Sequence, residues 1–102
     1  VTESNIQREI IATLRQLGIF AMRINSGTVK VRGAWMQLAP EGTADILAMP
    51  RGKMPVWIEV KAAKGRQRAA QEEFERTAKD LGHGYFVVRG LDDLEPLLEG
   101  MR

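Results

Sequence analysis

Gly42-Thr43-Ala44-Asp45-Ile46-Leu47-Ala48 and, shortly after it, Val56-Trp57-Ile58-Glu59-Val60-Lys61 decide how this chain is read. The first is an apolar run with one acid. The second is an apolar run with an acid and a lysine two residues apart. Side chains alternate faces along a strand, so Glu59 and Lys61 share one face while Ile58 and Val60 take the other. Charged groups set into a hydrophobic strand cost desolvation energy unless something pairs with them. A divalent metal, a water and a phosphate would do so. Two plainer readings compete. Glu59 and Lys61 can form a same-face ion pair on a half-exposed strand, worth ~0–1 kcal/mol. Asp45 can simply open a strand after a glycine turn.

The flanking sequence spaces its apolar residues as α/β folds do. Ile6, Ile10, Leu14 and Leu17 recur at helical intervals and predict a helix over 3–17, with Thr2 or Ser4 as N-cap and Gly18 as the stop. Residues 19–25 read as a strand that turns at Ser26-Gly27. Val29–Val31 and Ala34–Leu38 flank Arg32-Gly33, which suggests a hairpin or an excursion from the main sheet. Strands follow at 44–49 and 56–62, separated by the turn Pro50–Pro55. A helix over 67–81 turns Ala70, Phe74, Ala78 and Leu81 inward, Tyr85–Arg89 forms a buried strand, and a short helix at 92–99 closes the order α-β-hairpin-β-β-α-β-α. The helix between the strands at 56–62 and 85–89 makes those two parallel neighbours. Trp35 and Trp57 read as core or interface residues rather than base-stacking platforms.

Composition narrows the chemistry. At 102 residues the chain makes one domain over 1–102, with a single modest core. It has no cysteine and one histidine, His83. Thiolate sites and multi-histidine zinc sites are therefore excluded within one chain, and a metal would need oxygen ligands, which favours Mg²⁺ or Mn²⁺. No apolar stretch approaches a membrane span, and the N-terminus has no signal-peptide pattern, so a cytoplasmic location in a bacterial or phage-infected cell is expected. The net charge is only +2, but Arg51, Lys53, Lys61, Lys64, Arg66 and Arg68 cluster around the acids. A positive rim about a small acidic site suits a polyanionic substrate.

An aspartate followed by Glu59-Val60-Lys61 resembles the PD-(D/E)XK nuclease superfamily. Gly42-Thr-Ala-Asp45, Ile58-Glu-Val-Lys61 and a glutamine on the following helix, Gln71 after Lys64-Gly65, narrow the resemblance to the VRR-NUC family, over nearly the whole chain. The resemblance implies a restriction-endonuclease-like α/β core with a central mixed sheet flanked by helices. It implies Asp45, Glu59 and the Val60 main-chain carbonyl as metal ligands. Lys61 would lie beside the attacking water and the scissile phosphate, and Gln71 would hold a metal-bound water or the phosphate. Related nucleases carry a glutamate on the first helix where this chain has Gln7, which cannot supply the charge. Glu3, one turn earlier, is the candidate substitute, although an acid there also suits a helix N-terminus. Arg23, Asn25 and Ser26 after the first strand, with Lys64, Arg66 and Arg68 before the second helix, are candidate DNA contacts.

The function expected from this resemblance is a Mg²⁺-dependent, structure-selective DNA endonuclease that resolves four-way junctions as a homodimer. Trp35, Met36 and Leu38 on the hairpin are candidates for the dimer surface. A monomeric flap or nicking nuclease, and a non-catalytic DNA-binding module with the same fold, are the alternatives.

Overall fold

A computed structural model describes residues 2–101. Helix α1 (Glu3–Gln16) starts where the Thr2 hydroxyl accepts the Asn5 N–H at 3.1 Å, which caps the first turn. It buries Ile6, Gln7, Ile10 and Leu14. Gly18 then takes φ +81, and the chain reverses into β1 (Phe20–Arg23). Strands β2 (Thr28–Val31) and β3 (Ala34–Gln37) form a separate antiparallel ribbon. β4 (Ile46–Met49) and β5 (Val56–Val60) return to the main sheet. Helix α2 (Ala69–Asp80) crosses over to β6 (Gly84–Val88), and after a 3-10 turn at Leu91–Asp93 helix α3 (Leu94–Met101) follows.

The main sheet has the order β1-β4-β5-β6. β4 runs antiparallel to both β1 and β5, while β5 and β6 are parallel, as the intervening helix requires. One sheet face packs on α1 and α3 through Ile10, Leu14, Ala21, Ile46, Ile58 and Leu97. Each larger side chain among them contributes about 2 kcal/mol by burial. The other face meets α2 through Ala44, Ala78 and Tyr85, with Trp57 and Phe74 edge to face at 5.0 Å. The Trp57 indole N–H donates to His83 Nδ1 at 3.0 Å, which satisfies a polar group inside this smaller core. The result is three layers, a mixed sheet between helices.

The elements are shorter than the apolar runs suggest. Asp45 stands just before β4 and Lys61 just after β5, so the sheet ends between them. Leu81, expected inward, is 63 % exposed, because α2 has already ended and Gly82 turns the chain away. Trp57, expected in a core or an interface, is half-buried against the smaller core. Trp35 is 70 % exposed, because the ribbon that carries it does not lie on the sheet. Among the described residues no helix is long and apolar enough to cross a membrane.

Candidate active site

The register brings the two acids together. Ile46 pairs with Ile58 across β4 and β5, so one further step sets Asp45 opposite Glu59. Directly opposed residues share a face, here the one that α2 covers. Asp45 is held there through its Oδ2, which accepts the Val60 N–H at 2.8 Å. Glu59 is only 2 % exposed. Its Oε2 accepts from Gln71 Nε2 at 3.1 Å, and its Oε1 is buried with no hydrogen-bond partner. An orphaned carboxylate oxygen is costly, so a proton or a cation has to meet it.

In the metal-free protein a proton does so. Burial, and then the charge of Asp45 and a hydrogen bond with it, push the Glu59 carboxyl up from 4.5 to about 8; Lys61 opposes this and Glu3 adds to it. Burial disfavours the charged form of a carboxyl, and a like charge beside it does so further. A divalent cation relieves the same repulsion. The donor set fits one: two facing carboxylates, one with a buried unpartnered oxygen, and no histidine or thiol to favour a softer ion. Among the described residues no cluster of three or more acidic, histidine or cysteine side chains forms a ready-made cage. Such an ion would therefore rest on Asp45 and Glu59, with main-chain oxygen such as Val60 C=O, and water.

The helices complete the corner. Gln71 is in the first turn of α2 and engages both ends of its amide. Its Oε1 accepts the Arg68 N–H at 2.8 Å, the glutamine half of a capping box, while its Nε2 reaches Glu59. That bond holds one Glu59 oxygen and leaves the other free. Gly42 explains why α2 can come so close. It has φ +88, and a Cβ there would lie 2.4 Å from the Ala70 carbonyl oxygen. Glu3 reaches across from α1, and its Oε2 accepts the Ala62 N–H at 2.9 Å, next to Lys61. Gln7, one turn on, is buried with its own Oε1 unpartnered. Lys61 keeps its backbone on the sheet, donating to Val88 O at 2.9 Å, and its side chain is half-buried.

The remaining candidates lie on the loop after β5 and at the end of β1. Lys64, Arg66 and Arg68 are exposed in the loop between β5 and α2, and Asn25 and Ser26 are exposed beyond β1. Arg23 pairs with Ile46 and so takes the face opposite Glu59. Two residues are missing from the sequence reading. Arg89 Nη1 donates to Ala62 O at 3.1 Å and to Gly65 O, and so pins the loop that follows Lys61. Gln67 donates to the Tyr85 hydroxyl at 2.9 Å and anchors the same loop one strand away. Both follow from the parallel pairing of β5 and β6, which no local pattern reveals. Trp35 and Met36, expected to share one surface, lie on opposite faces of the ribbon, since Lys30 pairs with Trp35 and Val29 with Met36.

No family model matches the sequence, and no curated protein does. A solved structure described as a VRR_NUC domain matches with a TM-score of 0.72, over 98 % of this chain and 97 % of that one, at 20 % identity. The agreement runs end to end and includes the mixed sheet and the helices on both its faces. This chain has the fold of a VRR_NUC domain, as its acid and lysine spacing suggested.

Proposed function

We propose that the chain is a divalent-metal-dependent DNA endonuclease selective for branched structures, four-way junctions in particular, and that it works as a homodimer. The observation that carries this reading is the Asp45–Glu59 pair at one sheet end, with Glu59 Oε1 buried and unpartnered and Lys61 two residues on. A site of this kind is costly to keep in a protein that does not use it. Mg²⁺, or Mn²⁺ in its place, would supply Lewis-acid polarisation of the phosphate and a more acidic water.

The chain's own groups divide the remaining work. Asp45, held by the Val60 amide, and Glu59, held by Gln71, fix the ligand oxygens before substrate arrives, so little reorganisation is needed. Lys61, whose charge acts on Glu59, would orient the attacking water and offset negative charge that grows on the phosphoryl oxygens. The water oxygen forms the new bond to phosphorus while a bond from phosphorus to a sugar oxygen breaks. The loop 62–68, braced by Arg89 and Tyr85, presents Lys64, Arg66 and Arg68 to the flanking phosphates.

The dimer follows from substrate symmetry. Resolving a four-way junction takes two opposed cuts, and a two-fold pair of chains supplies two sites. The apolar face of the ribbon, with Val29, Val31 and Met36 all exposed, offers surface for a second copy. The test is a panel of end-labelled four-way junction, flap, nicked and plain duplex DNA with Mg²⁺ or Mn²⁺, alongside light scattering at micromolar protein. Paired nicks in the junction by a dimer, with plain duplex left largely uncut, support the reading. A monomer that prefers flaps replaces it with a flap nuclease. Binding without cleavage of any substrate makes the chain a DNA-binding module.

A further inference from the structure

The β2–β3 ribbon has two chemically different faces. Val29 opposes Met36 and Val31 opposes Ala34 on one, while Thr28 opposes Gln37 and Lys30 opposes Trp35 on the other. Trp35 is 70 % exposed, more than any other large hydrophobic side chain among the described residues. The Lys30 ammonium lies 5.9 Å from the centre of its ring, a cation–π contact that steadies the indole without burying it. Arg32 and Gly33 form the tip with φ +50 and +80, the two left-handed residues of a tight hairpin. An arginine held in that conformation is uncommon and projects from the very end of the ribbon.

The stretch of chain that carries it has charge of one sign. No Asp or Glu lies between Glu9 and Glu41, whereas Arg15, Arg23, Lys30 and Arg32 do. A protein partner would match the apolar face of the ribbon. The other face, with a flat exposed ring among cations, matches a nucleobase and its phosphates. Its location agrees. The ribbon continues from β1, the Ile24 N–H donates to Asp45 O at 2.7 Å, and Ser26 bridges to Ala39, so the base of the ribbon is tied to the sheet end that carries the acids.

We propose that the Lys30–Trp35 face of the ribbon is a stacking platform for an unpaired nucleobase of a DNA strand, with Lys30 and Arg32 against its phosphates. This deepens the nuclease reading and rests on it for the nature of the substrate. A fully paired duplex hides its base faces, so the platform favours the open bases found at a branch or a single-stranded arm.

Metal-free fluorescence anisotropy tests this, with a labelled thymidine oligomer of about twenty nucleotides and a blunt duplex of similar length, at two salt concentrations. Trp35→Ala should weaken single-strand binding about tenfold or more and duplex binding by less than about twofold. Trp35→Phe, which keeps a ring, should restore most of the loss. Lys30→Ala should weaken both ligands and flatten the salt dependence by about one phosphate contact. Unchanged single-strand affinity in Trp35→Ala overturns the proposal, as does an equal loss for both ligands. So does a loss of binding that tracks conversion of a dimer to a monomer in light scattering, which would make Trp35 a protein contact. The assay reads binding without metal. A protein that binds single strands through Trp35 but never cleaves leaves this inference standing and removes the nuclease reading. A wild-type protein that binds no DNA overturns both.

Discussion

Glu59→Gln should make the metal-free protein more stable, although the residue is buried and hydrogen-bonded. The carboxyl titrates at about 8 in the folded chain against 4.5 in the ordinary case. The folded state therefore holds this proton more tightly than the unfolded state does. That contribution is fully present below pH 4.5 and is lost as pH rises through about 8. At 1.36 kcal/mol per tenfold, the loss approaches about 5 kcal/mol when both states are ionised. Water at the open sheet end reduces it, so about 2 kcal/mol is expected to survive near pH 8. A glutamine avoids the loss. It mimics the protonated acid, since its oxygen still accepts from Gln71 and its NH₂ can donate towards Asp45. For a domain of this size the gain corresponds to a rise in Tm of about 10 °C. Thermal melts at pH 5, 6.5 and 8, with EDTA and then with millimolar Mg²⁺, provide the assay. The variant's advantage should be small at pH 5 and grow towards pH 8, and Mg²⁺ should stabilise the wild type much more than the variant. An advantage that does not change with pH, or equal stabilisation of both proteins by Mg²⁺, would refute the reasoning.

Other substitutions separate the remaining roles. Lys61→Ala should lower turnover by orders of magnitude with little change in DNA affinity, and a loss confined to affinity would make it a phosphate clamp. Lys64→Ala, Arg66→Ala and Arg68→Ala should each weaken DNA binding and reduce its salt slope by about one, as anisotropy across a salt series will read. Gly42→Ala should cost about 3 kcal/mol in denaturant unfolding, because it combines a strained φ with a clash against the Ala70 backbone. It should also lower activity by moving Gln71 away from Glu59.

The fold was legible where local pattern and topology agree. Alternation in Val56–Lys61 separates Glu59 from Ile58 and Val60, and the structure puts them on opposite sheet faces. The crossover helix alone requires β5 and β6 to be parallel, and they are. Strand ends were harder to read, because a strand stops where its partners stop and not where its apolar run does. Asp45 and Lys61 both fall just outside their strands for that reason. The surroundings of the acids were partly legible. Gln71 stood out as a polar residue on an inward helix face, but its bond to Glu59 depends on the close approach at Gly42. Arg89 has no local signature, because only the pairing of β6 with β5 brings it beside Ala62 and Gly65. Trp35 reads from the sequence as a core or interface residue on the hairpin, and its 70 % exposure removes the core option. The local pattern leaves that choice open, because only the pairing of β2 with β3 alone, apart from the main sheet, leaves the ring uncovered.

Asp45 and Glu59 together should hold a catalytic divalent ion. The most direct test is cleavage of an end-labelled four-way junction across a Mg²⁺ and Mn²⁺ titration, comparing wild type with Asp45→Ala and Glu59→Ala, with DNA binding measured in parallel. The wild type should cleave only with metal and neither variant should cleave, with DNA affinity kept or raised because negative charge near the phosphates is removed. Full cleavage by either variant, or wild-type cleavage that persists in EDTA, would contradict that role for the two acids.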